Sequence, residues 1–245
     1  MRIEPYSVGS IVHVINRGAR GAQITRDESD CDRFLKLLFY LNDEYQCHSK
    51  SGWEKDVSNL SDFERPSDWP ERVPLVRILA WTLMPNHFHL VLQEIHEGGI
   101  SKFMQRLGGS MSVHFNTKYQ QQGSLFQGSF RSRTIITDEY LRYCAAYVMV
   151  KNTLELFPGG LQKASLRFDD AWIWALDFPY SSFPLYAIGD KLNLSPERKI
   201  LATDENILKE IFPTPKSFRD ASEDMFMAYT EKNLDEYGHL MLEPW

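Results

Sequence analysis

The chain has 245 residues, 43% hydrophobic and 24% charged, which is enough apolar material for a sizeable core and excludes a disordered or fibrous protein. A formal net charge of −6 argues against a uniformly basic nucleic-acid binder, but the charge is unevenly placed. Ten acids against four bases lie from Asp204 to the end, so residues 1–203 balance to zero, and Gly98 to Thr137 carries Lys102, Arg106, Lys118, Arg131 and Arg133 without one acid. No apolar run reaches the ~18 residues of a membrane span, and Met1 to Gly9 lacks the apolar core of a signal peptide, so a cytoplasmic protein without a membrane partner is expected. Cys31, Cys47 and Cys144 are scattered, as reduced thiols would be.

Ile11 to Asn16 is rich in β-branched residues and runs into Arg17-Gly18, which predicts a strand ending in a turn. His13 shares a face with Ile11 and Ile15 and reads as a packed, hydrogen-bonded histidine. Carboxylates from Asp27 to Asp32 mark a helix start, and Phe34, Leu35, Leu38 and Leu41 recur at helical spacing up to about Tyr45. Residues 49–72 turn polar, with Ser51-Gly52, Pro66 and Pro70, and read as an inserted loop. Its Trp53 and Trp69 read as locally packed indoles, with stacking on unpaired bases as the alternative.

Val76 to Leu83 and the stretch beginning at His87 form two strands joined by a turn at Pro85-Asn86. Side chains alternate across a strand, so His87 and His89 project from one face while Phe88, Leu90 and Leu92 project from the other. Two imidazoles so placed can converge on one divalent cation, although a pair of half-exposed or hydrogen-bonded histidines has the same spacing.

Ser101 can cap a helix whose Phe103, Met104, Leu107, Met111 and Phe115 form one apolar stripe, interrupted by Gly108-Gly109 at roughly 1 kcal/mol each relative to alanine. Gly123 to Gly128 is a loop, and Phe130 to Ile136 alternates as a strand with Arg131 and Arg133 on one face. Thr137 or Asp138 caps a further helix carrying Tyr140, Tyr143, Tyr147, Lys151 and Asn152, stopped by Pro158-Gly159-Gly160. Strand, helix, strand, strand, helix, strand is the βαββαβ order of a ferredoxin-like antiparallel sheet, an α+β fold here with a crossing helix and added C-terminal helices.

The run from Met84 to Leu92, Met-Pro-Asn-His-Phe-His-Leu-Val-Leu, resembles the signature of the single-tyrosine HUH nucleases, the family of the smallest bacterial insertion-sequence transposases and the REP-associated tyrosine transposases. His13 to Gly18 followed by Asp32 to Leu38, the segment Phe126-Gln-Gly128, and Tyr180-Ser-Ser-Phe183 are similar to the same family. The resemblance implies a nuclease domain over residues 1–186, with the insertion at about 49–72, and leaves 187–245 as an acidic, mainly helical extension.

For function, the resemblance implies a metal-dependent single-stranded DNA endonuclease and strand transferase that cuts and rejoins hairpin-flanked DNA through a 5′-phosphotyrosine. His87 and His89 would hold Mg²⁺ or Mn²⁺. Tyr147 would be the nucleophile, because the interval from Tyr140 resembles the family's helix, with Tyr143 as runner-up. The family's third ligand, Asn or Gln, stands four residues after the tyrosine, where this chain has Lys151, an ammonium that cannot bind a cation. Asn152 could serve only if the helix is distorted, as by a π-bulge. Arg17, Lys102, Arg106, Arg131, Arg133 and Lys151 are the expected DNA-binding residues. The expected partner is single-stranded or hairpin DNA in a bacterial or archaeal cell, bound by a monomer or homodimer.

The main alternative is a catalytically silent or domesticated DNA-binding protein of the same fold. A ferredoxin-like RNA-binding module would need aromatic residues on the central strands, where this chain has histidines. Replication-initiation and plasmid-relaxing nucleases share the histidine pair but not the flanking similarity.

Overall fold

The computed structural model describes residues 6–46, 63–189, 196–201 and 206–231. Cys47 and Trp53, most of the polar insertion and the last fourteen or so residues of the acidic extension lie outside them. Among the described residues four strands form one antiparallel sheet: β1 (Ile11–Arg17), β2 (Val76–Met84), β3 (His87–Glu94) and β4 (Arg131–Ile135), in the order β2-β3-β1-β4. Helix α1 (Glu28–Tyr40) follows β1 and α2 (Gly99–Tyr119) follows β3, which completes the expected ferredoxin-like arrangement. Helix α3 (Asp138–Ala146), a π turn (Tyr147–Lys151) and α4 (Asn152–Glu155) then run as one rod.

The two faces of the sheet are covered by different helices. Val12, Val14, Phe88, Leu90, Leu92, Trp81 and Leu83 point into a core shared with Phe34, Leu38, Phe103 and Leu107 of α1 and α2. Leu79, Ala80, Val91 and Ile135 point the other way, against Leu141, Cys144, Ala145 and Val148 of the tyrosine rod. A bulge on β2 sets which side chains go where. Ile78 pairs with Leu92 and Ala80 with Val91, so Leu79 is an extra residue that reverses the alternation. Beyond it Trp81 and Leu83 face the core, whereas Thr82, paired with His89, and Met84, paired with His87, face the rod.

Local chemistry explains two departures from the sequence reading. Helix α1 ends at Tyr40 rather than near Tyr45, because Asn42 is drawn off to cap β2: its side chain accepts from Leu75 N and Val76 N, both at 3.0 Å, and donates to Val76 O at 2.9 Å. Helix α2 begins at Gly99, and its exposed N–H groups are met by Glu94 rather than by Ser101; the buried carboxylate accepts from Gly98 N and Ile100 N, each at 2.7 Å. Trp69 packs beside Tyr45 and Tyr40, with the Arg65 guanidinium 5.6 Å from its ring centre.

The C-terminal part is built onto the rod. Helices α5 (Gly160–Leu166), α6 (Phe168–Leu176), α7 (Phe183–Ala187), α8 (Ile207–Ile211) and α9 (Pro215–Thr230) contribute Ala164, Phe168, Trp172, Phe183, Leu208, Phe218 and Phe226 to the same core as Cys144 and Val148. The segment before α7 also lies along the outer edge of β2, where Leu83 N donates to Tyr180 O at 2.8 Å and Ser182 N to Trp81 O at 3.0 Å. That edge is thereby withdrawn from pairing with another strand.

Candidate active site

Strand β1 lies directly beside β3, pairing Ile15 with His89 and Arg17 with His87, so His13, Arg17, His87 and His89 all project from the face under the tyrosine rod. Strand β4 adds Arg131 and Arg133, opposite Ile15 and His13. His13 Nε2 is 2.8 Å from His89 Nδ1, with the two rings stacked. His87 and His89 have ring centres 5.0 Å apart and nearly perpendicular planes, and His87 Nδ1 lies 2.6 Å from Asn86 Oδ1. An amide oxygen there accepts only from N–H, so Nδ1 carries the proton and Nε2 keeps a lone pair.

Burial holds these imidazoles neutral. His13 is lowered to about 3 by desolvation and then by Arg133. His87 is lowered to about 4, first by burial and then by the Lys151 and Arg17 charges. His89 lies well below its usual value because it is fully enclosed, with His13, His87 and Lys151 adding to the effect. Neutral imidazole is the form that can ligate a cation.

The tyrosine comes to this face along the rod. Thr137, not Asp138, caps α3, its side chain accepting from Tyr140 N. The regular helix gives way at Tyr147, and the Asn152 N–H bonds to Tyr147 O, five residues back. In a regular helix Asn152 would be turned roughly 100° past the position four residues after Tyr147; the inserted residue of the π turn absorbs that rotation and sets Asn152 along the same side as Tyr147. The Tyr147 ring centre is 5.8 Å from that of His89 and 6.2 Å from that of His13. Tyr143 instead lines a groove with Arg142, Ile211 and Met225, between α3 and the helices α8 and α9.

Lys151 folds back over the tyrosine. Its Nζ is 5.2 Å from the ring centres of both Tyr147 and Tyr229, a residue of α9, and 3.1 Å from Glu155 Oε2. Tyr147 itself has no exposed surface.

The site holds buried polar atoms whose hydrogen-bonding capacity is unused: His89 Nε2, both amide atoms of Asn152, and Nε and Nη1 of Arg17. Leaving a buried amide so costs about 1–3 kcal/mol, and two neutral imidazoles with an amide oxygen are a donor set that suits a divalent cation completed by substrate or water. Among the described residues no group of three or more His, Cys, Asp or Glu side chains has metal-holding spacing. His13 does not add a third imidazole to the pair, since its Nε2 is turned to His89 Nδ1. The side chains that would hold a cation here are His87, His89 and, through its carbonyl, Asn152.

The cationic residues named from sequence divide into two groups. Arg17, Arg131, Arg133 and Lys151 belong to the histidine face. Lys102 and Arg106 sit on α2, on the other side of the sheet, where Lys102 Nζ is 2.6 Å from Glu44 Oε2 and Arg106 Nη1 donates to Asp43 O at 2.5 Å. Two residues, His13 and Tyr229, were not among the site residues expected from sequence. His13 is packed and hydrogen-bonded as expected, but its partner is a candidate ligand, and the sheet order that puts β1 beside β3 was the available signal. Tyr229 lies in a stretch whose sequence carries no mark of the site.

Histidine strand and tyrosine turn also coincide with a family match. Residues 74–151 match the family described as "Transposase IS200 like". This IS200-like segment runs from just before β2 to the last residue of the π turn, and so contains His87, His89, Tyr147 and Lys151 but stops one residue before Asn152. No curated protein matches the chain. Among solved structures, one described as a REP-associated tyrosine transposase bound to a REP hairpin is similar with a TM-score of 0.44 and 14% identity, over 83% of this chain and 91% of that one.

Proposed function

We propose that the protein is a metal-dependent single-stranded DNA endonuclease and strand transferase, with Tyr147 as nucleophile and His87, His89 and Asn152 as the cation's protein ligands. The observation that supports it most is the meeting of a buried, neutral histidine pair, a tyrosine and an otherwise unused amide under one π turn, within and just past an IS200-like segment.

A divalent cation, Mg²⁺ or Mn²⁺, would supply Lewis-acid polarisation of a non-bridging phosphate oxygen. Tyr147 Oη attacks phosphorus, the bond to the 3′-oxygen breaks, and the phenol's proton ends on the departing 3′-OH, leaving the 5′-phosphate esterified to Tyr147. A second 3′-OH reverses the same exchange and joins a strand, so no nucleotide cofactor is needed. Lys151, with its Nζ 5.2 Å from the Tyr147 ring centre, would offset charge growing on the phenol and phosphate, while Asn86 would orient His87 and His13 would orient His89. Arg17, Arg131 and Arg133 give this face the cations that phosphates need. Single-stranded or hairpin DNA is the substrate that this reading takes.

Binding without turnover is the second reading, and the enclosure of Tyr147 beneath Tyr229 favours it: a strand reaches the phenol only after the end of α9 moves. The two are separated by incubating the protein with single-stranded and fully duplex hairpin-bearing oligonucleotides in Mg²⁺ or Mn²⁺. The proposal expects cleavage of the single strand only, abolished by His87→Ala, by His89→Ala and by chelator. Cleavage undiminished in excess chelator contradicts the metal role, and tight binding without cleavage in either metal leaves the second reading.

A further inference from the structure

We propose that Thr82, backed by Ser181, is a positioning residue: its hydroxyl pins the π turn at the height at which Tyr147 and Asn152 both overlook His89. Thr82 is the residue that the β2 bulge turns toward the rod, and it pairs directly with His89 across the strands. Its Oγ1 is 2.7 Å from the carbonyl of Val148, inside the π turn, and both residues are fully buried. A hydroxyl carries one proton, and the other acceptor in reach is Trp81 O at 2.8 Å. The two lone pairs of that carbonyl are already taken by Ser182 N at 3.0 Å and by the Ser182 hydroxyl at 3.2 Å. The Thr82 proton therefore goes to Val148.

Ser181 Oγ stands 3.0 Å from Thr82 Oγ1 and is itself held by Phe183 N at 3.1 Å, so it can donate to Thr82 while Thr82 donates to the turn. A valine would suit a buried strand position as well as threonine does, and a buried hydroxyl is costly unless it is used. Its use here is to tie sheet to turn. If the turn relaxed to a regular helix, the register beyond Tyr147 would slip by one residue and Asn152 would swing roughly 100° off the face it now shares with the tyrosine. The Tyr180-Ser-Ser-Phe183 segment, which lies far beyond the IS200-like match, thereby acts on the candidate site without touching it.

The consequence for the cation rests on the proposed function, whereas the tie itself does not, and the test separates them. Four variants, Thr82→Val, Thr82→Ser, Ser181→Ala and Ser182→Ala, are compared with the wild type. One readout is amide hydrogen exchange in the peptide holding Tyr147 to Asn152; the other is Mn²⁺ affinity by calorimetry without DNA. Thr82→Val, which keeps shape and loses the hydroxyl, should speed exchange in that peptide at least tenfold and weaken Mn²⁺ binding about 10–100-fold, the usual effect of losing an outer-sphere orienting contact. Thr82→Ser should restore both, and Ser181→Ala should fall between. Ser182→Ala, which loses bonds to the Trp81 backbone and leaves Ser182 N on the Trp81 carbonyl, should move both readouts less than Ser181→Ala does.

Wild-type exchange in Thr82→Val, or the same loss in Ser182→Ala, overturns the proposal. If Thr82→Val does not fold, the contrast between Ser181→Ala and Ser182→Ala decides it on the same two readouts. A wild type that binds no Mn²⁺ contradicts the proposed function and leaves the exchange comparison to judge the tie.

Discussion

The two faces of β3 come from one alternating run of residues and do opposite work. Phe88, Leu90 and Leu92 are buried among apolar partners that complete them, with Phe88 5.2 Å from Phe34 and 5.9 Å from Phe126 between ring centres. His87 and His89, on either side of Phe88, are also buried, but His89 Nε2 is left without a partner and both rings have depressed basicity. One face is finished by folding, and under the proposed function the other would be finished by a bound cation. Burial is therefore not the measure of a side chain's structural role here; satisfaction is.

The sharpest break of that contrast is at Phe88. Phe88→Ala should cost about 3–5 kcal/mol of unfolding free energy, read by denaturant titration, because the cavity is walled by helices that cannot close it. His89→Ala should cost less stability and abolish cleavage. Equal destabilisation by both would show that the histidine face is also closed by its own packing.

Acid gives the next largest effect. His13 and His87 have folded-state values near 3 and 4, below the ordinary 6.5, so between about pH 6.5 and pH 4 the unfolded chain takes up protons that the folded protein refuses. Stability is fully present above pH 6.5 and falls as pH drops through this window, by at most about 1.4 kcal/mol per pH unit for each such histidine. The metal-free protein should thus lose melting temperature steadily from pH 7 to pH 4, and His13→Asn should flatten the slope. A flat profile in the wild type would mean that these rings are not held neutral.

Asn152→Leu sharpens the comparison from the other side. An amide with both polar atoms unused gains nothing from being polar, so an apolar residue of similar volume should leave the metal-free protein unchanged or up to about 1 kcal/mol more stable while weakening Mn²⁺ affinity. A clear loss of stability would assign the amide a structural partner instead. The smallest effects belong to surface cations. Neutralising Arg131 and Arg133 should lower the salt slope of DNA binding by about 2, whereas neutralising Lys102 and Arg106, held by Glu44 and Asp43 behind the sheet, should leave it unchanged.

Much of this was legible in the sequence, because alternation in a strand is a local property. The pairing of β2 with β3, the two faces of His87 to Leu92, and the order of elements all follow from spacing and turn chemistry. The Leu79 bulge was not, since an extra residue in a strand leaves no mark in a run of apolar side chains, and with it went the role of Thr82. Asn152 was legible only as a condition on the helix: the π turn that the condition named is present, and the groups that meet it, Thr82 and Tyr229 of α9, come from far away in the chain. The cap of α2 was misplaced for a local reason: Glu94, at the end of β3, reaches forward to Gly98 N and Ile100 N.

The central claim is that Tyr147 is the nucleophile of a cation-assisted strand transfer. It is tested most directly by incubating wild type, Tyr147→Phe and Tyr143→Phe with a labelled hairpin oligonucleotide in Mn²⁺, denaturing, and mapping any covalent adduct by mass spectrometry. The account predicts an adduct on the peptide containing Tyr147, present in Tyr143→Phe and absent in Tyr147→Phe even though that variant still binds DNA. An adduct that persists in Tyr147→Phe, or none in the wild type with hairpins of varied sequence and either metal, would contradict it.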